Sequence, residues 1–382
     1  MNTNYLQLFL ILFMVATPSF YYSQDKEEKE EKKDTISNYS FYKKGFKMGV
    51  LFVAEYKSSL THNVDMNGLH NSEGVDSYDG TFLRYVRVSG KYQLNDKISA
   101  TVLVNLADFK NDPQTRVLEN AFIRYEYNSY INIQVGQFRP YFGLEDLYPY
   151  EFNKSYVWSN NYDEFGKNGW QSFQLGVALT GSLSKKGIPL NYYISAVNGN
   201  GKNKTGDNDK SKDVTARIDY KFFKKLKVGV NGGFTNYKNQ KANAYGIDAE
   251  FISPITDKWN FAMDAEYKNG TNFNQFNAST IENKSLDDFR MAGFYFTPRL
   301  TYNLNKPRIR GIEVSARYEY FEKLKTLNNP RETITPMMSI LLADNYAARL
   351  SVGFVFDRYK NTYENTSMYN TNYLFSQFQF KF

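Results

Sequence analysis

From residue 43 onward, apolar and polar positions alternate with a period of two, the mark of strands that keep one apolar face. Phe46, Met48, Val50, Phe52, Ala54 and Tyr56 alternate with Lys47, Gly49, Leu51, Val53, Glu55 and Lys57. Ile98, Ala100, Val102, Val104 and Leu106 share a face of the next clear run, and Ala121, Ile123, Tyr125 and Tyr127 face away from Asn120, Phe122, Arg124 and Glu126. The rhythm recurs at 214–222, 259–268 and 346–357. After the N-terminal region no convincing run has the 3.6 period of a helix. The weakest strand lies at 335–342, where alternation fails in Thr335-Pro336-Met337-Met338.

The spacers sort into two classes. Short polar turns lie at 95–96, 128–129, 184–187, 223–225, 254–257, 303–306 and 343–345. Longer or more variable loops alternate with them, at about 60–79, 109–115, 138–169, 199–212, 238–242, 270–286, 323–334 and 360–370. These fifteen connections imply sixteen strands, with fourteen or eighteen left open by the weak segment. Tight turns at one end and long loops at the other describe an all-β, transmembrane, antiparallel up-and-down barrel of the outer-membrane kind. Strands of 10–14 residues suit a tilted span. With 32 Tyr and 31 Phe, the chain has aromatics beside both sets of connections, as two interfacial girdles require: Tyr92, Tyr127 and Trp259 near the turns, Tyr56, Tyr267 and Phe289 near the loops. Pro298 is the proline a strand interior tolerates poorly without a bulge.

The ends are consistent with export. Leu6–Val15 is a short apolar core followed by Ala16-Thr17-Pro18-Ser19, so residues 1–23 read as a cleaved signal peptide, although no Lys or Arg precedes the core. Residues 24–40 are a charged spacer, and 41–382 form a single barrel domain. At the far end Leu374, Ser376, Phe378, Phe380 and Phe382 share one face. A terminal amphipathic strand ending in Phe is the form in which the barrel-assembly machinery recognises its clients. Phe378, Phe380 and Phe382 are therefore the expected assembly signal, with outer-membrane lipid of a Gram-negative cell as the surroundings.

Composition narrows the chemistry. The absence of Cys removes thiolate metal sites, iron–sulfur clusters and cysteine nucleophiles. His62 and His70 both lie in the first loop, so no strand histidine is available to activate a serine, and neither a metal site, a cofactor nor catalysis is expected. The net charge is +7, but basic residues alternate with acids instead of forming a stripe, which argues against nucleic acid as a partner. In a membrane barrel, mid-strand charges point inward. That rule sends Arg87, Arg124, Glu126, Arg217, Asp219, Asp264, Glu266, Arg299, Arg317 and Arg349 to the interior as candidate pore-lining residues. Arg124 with Glu126, and Arg317 with Glu319, are expected ion pairs. The longest loop, 138–169, carries Glu145, Asp146, Glu151, Asp163 and Glu164, and follows Arg139. As the third long loop it is the candidate constriction, with Arg87, Arg124 and Arg139 opposite its acids and a weak anion preference as the outcome. A solvated external loop is the alternative.

The stretch Ile131-Asn132-Ile133-Gln134-Val135-Gly136-Gln137-Phe138-Arg139-Pro140-Tyr141-Phe142-Gly143-Leu144-Glu145 resembles the phosphate-selective porins of the O/P type. That family has a strand ending Val-Gly-Gln-Phe-Lys followed by Pro-Phe-Gly-Leu-Glu. Here Arg139 replaces the Lys and the proline comes one residue early, at Pro140. Residues 119–127 look like the preceding strand of the family. The resemblance implies an outer-membrane porin, a water-filled channel for passive diffusion of small hydrophilic and ionic solutes, anions such as phosphate among them, assembled as a homotrimer. A non-conducting structural or adhesive barrel is the competing class, separable by conductance.

Overall fold

The computed structural model describes residues 45–110, 116–199, 201–204, 211–304 and 306–382; the expected signal peptide and spacer lie outside them. Sixteen strands follow one another along the chain. They are β1 (Phe46–Ser59), β2 (Asp79–Gln93), β3 (Ile98–Asn105), β4 (Leu118–Glu126), β5 (Asn132–Phe138), β6 (Gln174–Ser182), β7 (Leu190–Val197) and β8 (Asp213–Phe223). The second half comprises β9 (Leu226–Tyr237), β10 (Gln240–Pro254), β11 (Trp259–Thr271), β12 (Arg290–Asn303), β13 (Gly311–Glu322), β14 (Arg331–Leu341), β15 (Ala348–Tyr359) and β16 (Thr371–Lys381). Each pairs antiparallel with its sequence neighbours, and β1 pairs with β16 to close the barrel. Closure leaves no row of unpaired backbone groups at an edge. The backbone N–H of Phe382 donates to the Val50 carbonyl at 3.0 Å, and Val50 returns a bond at 2.8 Å, extending the seam past the last paired strand residue.

The alternation has an inverted sense. Outward positions are apolar and exposed, among them Ile123, Val177, Ile218, Val230, Val314 and Leu350. Inward positions are mostly polar or charged, and most are buried. β14 obeys the same rule: Thr333, Thr335, Met337 and Ser339 turn inward, while Ile334 and Met338 are exposed outside. Its period was hidden because Met337, an apolar residue, sits on the inner face.

Connections at one end run from two residues to seven, as expected. The other end holds the long ones, with one correction: β9 and β10 join through Lys238 and Asn239 alone. Both residues have positive φ, 48° and 63°, the conformation of a tight two-residue hairpin turn. The long connections hold, wholly among the described residues, the short α-helices α1 (Asn160–Lys167) and α2 (Phe273–Ala278). α1 starts at Ser159, whose hydroxyl accepts from the Tyr162 N–H at 3.0 Å. Eight residues are too few for a periodic signal to stand out from sequence. Phe289 also departs from the girdle: it is buried and packs edge-on against Phe276.

Pro298 sits within β12 without a bulge. The β12–β13 register passes from Phe296↔Tyr318 to Arg299↔Ser315, skipping two pairs, and β14–β15 skips two pairs at Thr335 and Pro336. Pro lacks the N–H that a ladder bond needs. Pro298, Ala316, Pro336 and Phe354 line a shallow apolar groove of about 590 Å³ in this part of the wall.

Candidate functional site

The connection between β5 and β6, residues 139–173, does not stand off from the barrel. It makes polar contacts with strands on opposite sides of the interior. Leu144 donates its N–H to Glu266 of β11 at 2.7 Å. Arg317 of β13 donates to the carbonyls of Val157 and Trp158 at 2.6 and 3.1 Å. Arg349 of β15 reaches the Asn153 carbonyl at 2.9 Å, and Gln379 of β16 the Glu151 carbonyl at 3.1 Å. Asn160 at the start of α1 donates to Glu319 at 2.6 Å. Contacts with β11, β13, β15 and β16 on one side, and with Arg124 of β4, which donates to the Tyr141 hydroxyl at 3.4 Å, on the other, require the segment to cross the interior, where Phe142, Leu144, Phe165 and Trp170 are completely buried.

The segment is anchored by aromatic packing as well as by charge. Phe142, Phe165 and Trp170 join Met291, Phe289 and Phe321 from the wall in one apolar cluster. Tyr150, Trp158 and Tyr162 form a second with Leu51 and Val53 of β1, and Tyr156 stacks on Phe375 of β16 at 3.8 Å. Trp170 Nε1 donates to the Thr271 carbonyl at 2.9 Å, so its polar edge is satisfied as its ring is buried. Entry to the segment turns at Gly143, where φ is +114° and a β-carbon would collide with the Lys268 ammonium.

The inward charges are arranged mostly as ion pairs. Arg87 bonds Glu119 at 2.7 and 2.9 Å and lies over the Tyr85 ring. Arg217 makes a two-pronged bond to Asp248 and lies 3.9 Å from Asp219, which also accepts from Asn191. Arg299 pairs with Asp264 at 2.7 Å, Lys268 with Glu266 at 3.1 Å, and Arg317 with Glu319 at 2.7 Å. The expected pair Arg124–Glu126 does not form. Arg124 instead donates to Gln134 at 2.7 and 3.2 Å and to the Tyr141 hydroxyl at 3.4 Å. Glu126 is exposed near the short-turn end of β4.

Among the loop residues, Arg139 is bound to backbone carbonyls of Glu145 and Tyr148 at 3.1 and 2.6 Å. Glu145 and Asp146 are buried within the interior. Burial pushes Glu145 up to about 8, against the nearby Arg317, and Asp146 up to about 7, against Lys268. Glu151 accepts from Lys381 at 2.6 Å. Asp163 is exposed, and Glu164 bonds Lys167 at 2.7 Å. Phe378 and Phe380 point outward and are exposed, and the Phe382 ring lies tilted beside that of Phe380, 5.4 Å between centroids.

Two inward charges escape a strict reading of the alternation. β2 carries one extra residue where Val53 pairs with Tyr85 but Ala54 with Leu83, which frees Arg84 to bond the buried Glu55 of β1 at 2.6 and 2.7 Å. β4 carries another where Leu103 pairs with Asn120 but Val104 with Leu118, and the extra residue is Glu119, the partner of Arg87. Bulges re-aim side chains in this way. By parity alone, both would face outward.

Level with the segment, inward side chains are buried; toward the short turns they open up. Lys91, Glu126 and Lys221 are exposed, and Tyr193, Lys227 and Glu250 are half-buried. The interior therefore opens into a vestibule at the short-turn end, below the belt that the segment narrows.

Residues 59–152 match the family described as phosphate-selective porin O and P. No curated protein matches the chain. Among solved structures, the barrel is similar to the outer membrane channel DcaP of Acinetobacter baumannii, at 12% identity and a TM-score of 0.55, over 88% of this chain and 97% of that one. It is similar to the anion-selective porin from Comamonas acidovorans, at 10% identity and a TM-score of 0.57, over 88% and 99%. The trimer form of OmpT from Vibrio cholerae aligns over 88% and 99%, at 12% identity and a TM-score of 0.55.

Proposed function

We propose, from a barrel of porin fold that carries a region of the phosphate-selective porin O and P type, that this chain is an outer-membrane channel for passive diffusion of small hydrophilic solutes. The observation that carries this reading is the inverted wall, exposed apolar residues outside and ion-paired charge inside, around a chain segment that fills only part of the lumen. Sixteen strands enclose more space than wall side chains can fill. The inner segment, with Arg139, Glu145, Asp146 and Glu151 among its residues, narrows that space. The terminal Phe residues serve as the assembly signal, and three copies associate, as in the trimer form of OmpT.

Selectivity follows from the charges that remain unmatched. Arg87, Arg217, Arg299 and Arg317 are neutralised by carboxylates. Arg124, Lys91 and Lys221 line the vestibule with no carboxylate partner among the described residues, opposed by Glu126. A weak preference for anions, phosphate among them, results. Planar-bilayer recordings test both levels. Discrete conductance steps are expected, with a reversal potential on the anion side that moves toward cations in Arg124→Gln with Lys221→Gln and stays put in Arg87→Gln with Glu119→Gln, which removes a matched pair. A pure, correctly folded barrel that never conducts would transfer the assignment to a structural or adhesive barrel.

A further inference from the structure

The inner segment is seated on β11, β12 and β13 through a knot of carboxylates that is short of donors. Glu145 accepts from the Ser159 N–H at 3.2 Å and from the Ser159 hydroxyl. Beside it Asp146 is 5% exposed, and neither of its carboxylate oxygens has a hydrogen-bond partner. A buried carboxylate in that condition is costly in its charged form.

The groups facing the two acids come from every element around them. β11 presents Glu266 and Lys268, and Lys268 is already held by Glu266 at 3.1 Å and Gln171 at 2.7 Å. β12 presents the Tyr295 hydroxyl. β13 presents Arg317, engaged with Glu319 and with two segment carbonyls. Within the segment, Arg139 is engaged with carbonyls, and the hydroxyls of Tyr141, Tyr148 and Tyr162 complete the surroundings. Three acids thus share cations whose bonds are largely committed already, Lys268 to Glu266 and Gln171, Arg317 to Glu319 and two carbonyls, and Arg139 to carbonyls.

We propose, resting on the channel reading above, that this knot is a proton-operated latch: protonated Glu145 and Asp146 keep the segment seated, and their ionisation loosens it and widens the lumen. The sign follows from linkage. Seated, the two acids hold protons up to about 8 and about 7. Released into water they would hold them only to about 4. The seat is therefore firmest below about pH 4, weakens as pH rises, and stops weakening above about pH 8.

The test is conductance of the membrane-inserted protein in KCl between pH 5 and 9, with acrylamide quenching of tryptophan fluorescence on the same preparation. Trp158 and Trp170 lie in the segment, and the third tryptophan, Trp259, lies on the outer wall as a constant background. Mean conductance at pH 9 is expected to be at least twice that at pH 5, with quenching rising in step. Glu145→Gln with Asp146→Asn should hold both readouts at their pH 5 values; if that pair does not fold, Asp146→Asn alone should flatten the response in part. Conductance and quenching that stay flat in the wild type overturn the latch and leave the channel reading intact. A protein silent at every pH overturns the channel reading, and quenching alone then decides the latch.

Discussion

Arg84 shows how much one inserted residue accomplishes. It joins a buried acid, Glu55, which among the described residues also accepts from the Gln377 amide at 3.0 Å. Removing the guanidinium leaves the buried Glu55 side chain without its counter-ion, with the Gln377 amide as a remaining donor. Arg84→Leu is expected to destabilise the barrel by about 3 kcal/mol, the scale for breaking a buried pair. Glu55→Gln on that background should recover most of the loss, as read from the temperature at which the folded band disappears in unheated-versus-heated electrophoresis. Alternation alone makes Arg217, Arg299, Arg317 and Arg349 legible as inward, because each lies in an unbroken run of period two. It misplaces Arg84 and Glu119, because a bulge shifts parity without leaving a mark in residue type. The pairing of Arg87 with Glu119, and the absence of one between Arg124 and Glu126, depend on cross-strand register, which no single run of sequence contains.

At the scale of elements, the prolines and one glycine make the clearest predictions. Pro298 leaves an unmade bond in the β12–β13 ladder, so Pro298→Val should stabilise the barrel by about 1 kcal/mol if the restored N–H finds the β13 carbonyl. Equilibrium unfolding in denaturant measures it; no change would mean the neighbouring strand does not close up. Gly143 is the elbow that admits the inner segment, and its positive φ together with the nearby Lys268 excludes a side chain. Gly143→Val should unseat the segment without opening the barrel, raising conductance at least twofold while leaving β-sheet circular dichroism unchanged. The strand order and the two classes of connection could be read from alternation and spacers. The Lys238-Asn239 turn and α1 could not, since each is too short to outweigh its surroundings.

For the whole molecule, the interior is narrowed by a segment of chain and not by wall side chains alone. Deleting residues 146–168 and bridging the gap with glycine and serine is expected to keep a folded barrel and enlarge its conductance severalfold. A silent or unfolded product would mean that the segment is a structural core. Orientation is open to a clean chemical test, because the chain has no cysteine. Cysteines at Asn67 and Asn283, in long connections, should react with an impermeant reagent on intact cells, whereas one at Lys186, in a short turn, should not. The reverse pattern would invert the barrel. That the segment enters the interior was one of two readings open from sequence: its aromatics suggest packing, but their partners Met291, Phe321 and Phe375 lie on strands far along the chain.

The seam between β1 and β16 joins residues such as Leu51 and Lys381, separated by most of the polypeptide. Neighbouring hairpins can zip locally, but the ring closes only through this one contact, whose entropic cost grows with the length of chain it spans. Until it forms, both terminal strands present open edges and the growing sheet is prone to associate with other chains. Folding should therefore be slow for a protein built from hairpins, with the rate set by a single late event of very high contact order. Loosening that seam, by altering Phe380 or Phe382, would lengthen the lifetime of the aggregation-prone state more than it would weaken the finished barrel.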